Sequence, residues 1–169
     1  MANAEVRGRL ALSCLLGVAA PVLAAMPFTS TQDSFVALFP RPPYIEARTV
    51  AVGSRTNASV RMYRVDEART VWLVSATDIS GLTMDVPRTL AGARDGLVAK
   101  SGGSVASEKA VRIAKYDGLA LRLDRPDASI VMARLCVTPL RIYEALVVTT
   151  EEPARHSEIQ RFLDSFSPE

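Results

Sequence analysis

The sequence predicts an α+β fold, a mostly antiparallel β-sheet flanked by helices in a single domain. Three observations carry this expectation. Two segments, Val86–Leu97 and Ile159–Phe166, place apolar residues at helical spacing, and each follows a series of strand-like runs. The resulting order of strands, helix, strands, helix is that of an antiparallel sheet with helices packed on it. The run from Val71 to Ile79 is apolar on both faces, so something must cover each side of the sheet there. A chain of 169 residues supports one such core rather than two.

The elements follow in order. Residues 1–25 carry Arg7 and Arg9 before an apolar run, Leu10 to Ala20, that Pro21 ends. The following "VLAA" offers small residues for signal peptidase, so 1–25 is expected to be a signal peptide and 26–169 the domain. The apolar run is shorter than the ~20 residues of a spanning helix, and a membrane role is confined to this segment before its cleavage. Cys14 lies in "ALSC", a poor lipobox, and reads as one more apolar residue. The expected location is periplasmic or secreted.

In the domain, "DSFVALFP" reads as a first strand closed by Pro40, and "RPPY" as an extended turn. "YIEARTVAV" is a strand with Tyr44, Glu46, Arg48 and Val50 on one side. "ASVRMYRVDEARTVWLVSATDI" is a hairpin turning near Asp66–Arg69. Asp85 can cap a helix that has Pro87 in its first turn and Gly102–Gly103 at its end. Gly92 and Gly96 weaken that helix by about 1 kcal/mol each relative to alanine. "YDG", Tyr116–Gly118, signals a turn between two strands, and "TPL" a hairpin around Pro139. Ile159, Phe162, Leu163 and Phe166 then form one stripe on a closing helix.

Composition narrows the function. With 20 Lys+Arg against 18 Asp+Glu the net charge is +2, and loss of residues 1–25 leaves 18 against 17. No strong field is present to recruit nucleic acid. The domain keeps one cysteine, Cys136, in "SIVMARLCV", where a buried, inert thiol is expected and an internal disulfide is not. His156, the single histidine, precedes the apolar stripe, and Ser157 leaves the helix about 100° away from it. A catalytic relay needs convergence of side chains from different elements, and no G-x-S-x-G motif occurs. One histidine and one cysteine do not make a clustered zinc site. "SGGS", Ser101–Ser104, follows a helix whereas phosphate loops precede one. No catalytic residue, metal or cofactor is assigned. Arg55, Arg61, Arg64 and Arg69 cluster in the first hairpin and form a candidate partner surface, set against the plainer reading of a solvated edge strand. Arg122 and Arg134 sit within strands, as ion-pair partners or groove lining.

From "SFVALFP" through "VWLVSATDI", "DVPRTLAGARDGLV", "KYDGLALRL" and "RIYEALVV" to "RFLDSF", the order of elements resembles the PsbP-like fold. The resemblance spans Ser34 to Phe166. It implies an α/β/α sandwich, a fold shared by photosystem extrinsic proteins, a nuclear-import factor that binds a small GTPase, and many exported bacterial proteins. Such proteins mostly bind or organise partners, which fits an exported, non-enzymatic accessory or protein-binding module of the cell envelope. Its partner is then an envelope protein of unknown identity or an apolar ligand. A carrier of a lipid or small apolar ligand is the second expectation and a hydrolase the third.

Overall fold

The structure, a computed structural model, describes residues 25–52 and 56–169. The expected signal segment up to Ala24, Cys14 and Arg55 lie outside the described residues. Seven strands form the main antiparallel sheet. They are β3 (Tyr44–Val52), β4 (Thr56–Glu67), β5 (Thr70–Asp78), β6 (Ser104–Ile113), β7 (Tyr116–Asp124), β8 (Ile130–Val137) and β9 (Arg141–Thr149). Their spatial order is β3-β4-β5-β9-β8-β7-β6. A three-stranded sheet, β1 (Met26–Ser30), β2 (Phe35–Phe39) and β10 (Ser167–Pro168), lies beside it with β2 at its centre. The described residues also form two helices, α1 (Val86–Ser101) and α2 (Glu152–Ser165).

Both faces of the main sheet are packed, as the apolar character of β5 requires. Trp72, Val74 and Ala76 join Phe35, Phe39, Ile159, Phe162 and Phe166 in one core, beneath α2 and the small sheet. Leu73 packs with Leu90, Leu97, Leu121 and Leu135 in a second core, beneath α1. The alternation of β5 side chains across the pleat thus serves two cores, and the layers are those of an α/β/α sandwich.

Local chemistry explains the element ends. Asp85 accepts from the Arg88 N–H at 2.9 Å, Pro87 occupies the first turn of α1, and Gly102 closes it at φ 63°. This is the expected combination of cap, proline and left-handed glycine. α2 lacks a side-chain cap at Glu151. Docking holds it instead: Ile159, Phe162, Leu163 and Phe166 are each at most 3% exposed.

Four features depart from the sequence reading. A strand, β1, precedes "DSFVALFP" and pairs in register from Met26↔Phe39 to Ser30↔Phe35. A second unexpected strand, β10, follows α2. Asp33 lies in the β1–β2 turn rather than in a strand. The turn expected at Tyr116–Gly118 falls at Ala114–Lys115, where Ala114 supplies φ 52°. Gly118 belongs to β7, and a Cβ there would sit 2.4 Å from the Leu135 carbonyl oxygen. That glycine permits close strand approach instead of a turn.

Candidate functional site

Among the described residues, α1 packs mainly on β8 and β7, and no helix lies over the β3–β4–β5 side of the same sheet face. An open groove of about 410 Å³ results, with Val60, Met62, Leu73 and Leu146 contributing its apolar floor. Leu97 and Lys100 of α1 border it, and Arg48 of β3 lies across it beside the Met62 sulfur. Ser75, Thr77 and Glu144 are its polar groups.

Glu144 is the ionisable group set deepest in this groove. It stands on β9 opposite Ser75 on β5, in direct register. Its carboxylate accepts one long hydrogen bond, 3.5 Å from the Ser75 hydroxyl. Burial pushes its pKa above the usual carboxylate range, with the Lys100 ammonium and the Ser75 contact acting the other way. A half-buried carboxyl among apolar side chains, on rigid strands and in an open groove, is the arrangement by which binding sites orient a ligand. The sequence did carry one signal: Glu144 is the lone acid within the run "RIYEALVV". Two further grooves lie at the start of α1, of about 530 and 340 Å³. Their charged residues are Lys115 from the loop before β7, Asp117 on β7, Arg94 on α1 and Glu108 on β6.

A second polar cluster sits at the other face. Asp33 is 4% exposed. The Arg61 guanidinium donates to both its carboxylate oxygens at 2.7 Å, Arg141 Nε donates at 3.3 Å, and the Tyr63 hydroxyl donates at 2.6 Å. The Tyr143 hydroxyl donates to the Asp33 backbone carbonyl at 2.5 Å. Beside these groups is a pocket of about 110 Å³, room for a few waters. These bonds run from β4 and β9 to the β1–β2 turn, so the cluster acts as a clasp between the turn and those strands.

The arginines singled out in the sequence do not share one surface. Arg61 turns inward to Asp33. Arg64, three positions along β4 and so on the opposite face, pairs with Asp66 at 2.7 Å. Arg69 is exposed in the β4–β5 turn, and Arg55 is outside the described residues. Arg122 and Arg134 are ion-pair partners that tie the sheet to α2, through Glu152 at 3.6 Å and Asp164 at 3.1 Å. Arg155 of α2 reaches Glu67 at 2.6 Å and lies over the Trp72 ring.

His156 is exposed, and its Nδ1 lies 2.9 Å from Glu152, one helical turn away. Ser157 is exposed and Asp164 is turned to Arg134. Cys136 is fully buried, and burial pushes its thiol up to about 12, which keeps it protonated and unreactive in the folded chain. Among the described residues no three His, Cys, Asp or Glu side chains gather into a metal-holding group. Among them, too, no helix is long and apolar enough to cross a membrane.

No protein-family model and no curated protein sequence matches the chain. Among solved structures it is similar to cyanobacterial PsbP (CyanoP) from Synechocystis sp. PCC 6803, with a TM-score of 0.57 and 14% sequence identity. The match covers 91% of this chain and 99% of the cyanobacterial one. At that identity the likeness concerns the backbone, and over nearly the full length of both chains it gives this protein the PsbP-like fold.

Proposed function

We propose that this chain is an exported, non-enzymatic accessory module that binds a partner protein of the cell envelope through the open groove around Glu144. The observation that carries the reading is the half-covered sheet face. Its floor is apolar and set on strands, its rim carries Arg48 and Lys100, and its one half-buried acid has no short hydrogen bond. Such a surface suits an apolar side chain with a polar neighbour, the usual anchor of a protein interface. The N-terminal signal pattern supports export, and β1 begins at Met26, at the edge of the expected cleavage site. The exposed position of His156 on the first turns of α2, beside Glu152, supports a non-enzymatic role.

Photo-crosslinking in the native envelope tests it. A crosslinker placed at Met62, within the groove, is expected to trap one discrete partner, and Leu73→Glu is expected to abolish the product. A crosslinker at Ser157, on the exposed side of α2, is the control. Equal labelling at both positions would refute the groove. The carrier reading rests on the same apolar floor. Native mass spectrometry of protein purified from the envelope separates the two, because a bound lipid lost on Leu73→Glu would replace the protein partner.

A further inference from the structure

The two edges of the seven-stranded sheet are built differently. β6 is interrupted by a bulge between Val105 and Ser107 and carries Glu108, Lys109 and Arg112, features that obstruct pairing with another chain. β3 runs nine residues without a break in its register on β4 and contains neither proline nor lysine. It also holds two of the large exposed apolar side chains, Tyr44 at 45% and Ile45 at 53%. Neither Glu46 nor Arg48 belongs to an ion pair among the described residues.

From this edge we infer that β3 is a homodimer interface, at which a second copy of the chain pairs antiparallel with it about a two-fold axis at Ala47. The occupant follows from charge. When Ala47 faces Ala47 of the second copy, Glu46 faces Arg48 and Arg48 faces Glu46, so two opposite-charge cross-strand pairs form at once. Centring one residue earlier or later sets Glu46 against Glu46 or Arg48 against Arg48. The same register places Tyr44 opposite Val50 and Ile45 opposite Thr49, which covers the exposed apolar side chains with β-branched neighbours. The contact is isologous and closes at two copies. It joins the two sheets into one of fourteen strands, each contributing its seven. Arg48, Val50 and Ala51 also line the groove, so the two grooves meet across the dimer axis.

Charge exchange tests the pairing. The domain from residue 26 is expected to sediment as a dimer. Glu46→Arg alone, or Arg48→Glu alone, sets like charges opposite each other twice and is expected to weaken dimerisation roughly tenfold or more. The double variant Glu46→Arg/Arg48→Glu restores both pairs and the dimer. Ala47→Cys gives an independent readout, because directly opposed Cα atoms about 4.5–5.5 Å apart lie within disulfide reach. It is expected to crosslink under oxidation. Thr49→Cys is not, since two such residues would lie about 13 Å apart along the strands. The buried Cys136 does not interfere. A protein that stays monomeric at high concentration would overturn the inference. So would a dimer that persists in both single variants. A monomer whose β3 amides resist hydrogen exchange would overturn it in favour of another segment on this edge.

Discussion

Removing the Asp33 carboxylate is expected to cost about 3 kcal/mol. The side chain sits in the turn between β1 and β2, yet its partners lie on β4 and β9: Arg61 at 2.7 Å, Tyr63 at 2.6 Å and Arg141 at 3.3 Å. The turn is therefore fastened to the main sheet by one buried carboxylate, beside the Tyr143 and Arg141 bonds to the Asp33 and Gln32 backbone carbonyls. Asp33→Ala leaves two guanidinium groups near each other without their counter-charge. Breaking a buried pair on one side costs about 3–5 kcal/mol. The Arg61 and Arg141 side chains are 19% and 17% exposed, so water repairs part of the loss and the lower end applies. Against the 5–15 kcal/mol of an ordinary domain, this is a large share. In a urea melt followed by circular dichroism, it corresponds to a midpoint lowered by roughly 1–2 M at an unchanged slope. The Asp33→Ala/Arg61→Ala double variant is expected to cost less than the two single variants together, because they share one contact. A midpoint for Asp33→Ala within about 0.5 kcal/mol of wild type would refute the clasp.

Phe162→Ala, which removes a side chain packed edge-on to Phe39 and Trp72 at 5.1 and 5.4 Å, is expected to lower stability by about 3–5 kcal/mol in the same melts. Exposed Arg161→Ala is expected to cost under about 1 kcal/mol. Gly92→Ala, in open space on α1, should stabilise by about 1 kcal/mol. Gly118→Ala forces a Cβ against the Leu135 carbonyl and should destabilise by about 1–3 kcal/mol. Glu144→Gln has a pH signature. The folded pKa lies above the unfolded value of 4.5, so the group's favourable contribution is complete below that value and is lost as pH rises through the folded value. The variant should therefore match wild type in Tm in acid and exceed it at neutral pH; thermal melts over that range decide it.

Both helices were legible in the sequence because each combines a period with an end signal. Asp85, Pro87 and Gly102 mark α1 by local chemistry alone, and the stripe from Ile159 to Phe166 marks α2. The small sheet was harder to see. β10 is two residues long and β1 five, and the pairing of β10 with β2 joins the two ends of the domain. "YDG" misled because glycine serves turns and close strand approach equally well, and only the neighbouring β8 backbone shows which applies. The hairpin arginines show the same limit at the site. Period two separates Arg61 from Arg64 onto opposite faces, but the acid that claims Arg61 lies 28 residues away. Glu144 is the opposite case. Its isolation in an apolar strand was visible, and its meaning depended on which half of the sheet α1 would cover.

That division has a geometric cause. Seven strands spaced about 4.8 Å apart make a sheet nearly 30 Å wide, and a helix about 10 Å across covers roughly two of them. On the α2 side, the small sheet shares the task with the helix, and the core there reaches from Tyr63 on β4 to Ile113 on β6. On the α1 side, among the described residues, one helix packs over β7 and β8, joined by Ile79, Leu82 and Met84 from the segment after β5. A strand region left to solvent would be expected to carry polar residues at every outward position. This one carries Val60 and Leu146, 8% and 6% exposed, beside Met62 and Leu73. Arg48, laid across Met62, supplies part of the cover. An arginine over a thioether is a movable lid compared with a packed helix, and it belongs to the strand whose free edge complements its own copy. Dimerisation through β3 would draw Arg48 toward Glu46 of the second copy and away from Met62. Coupling between the edge and the groove follows: a variant that abolishes pairing, such as Glu46→Arg, should also change how readily the groove engages whatever it binds.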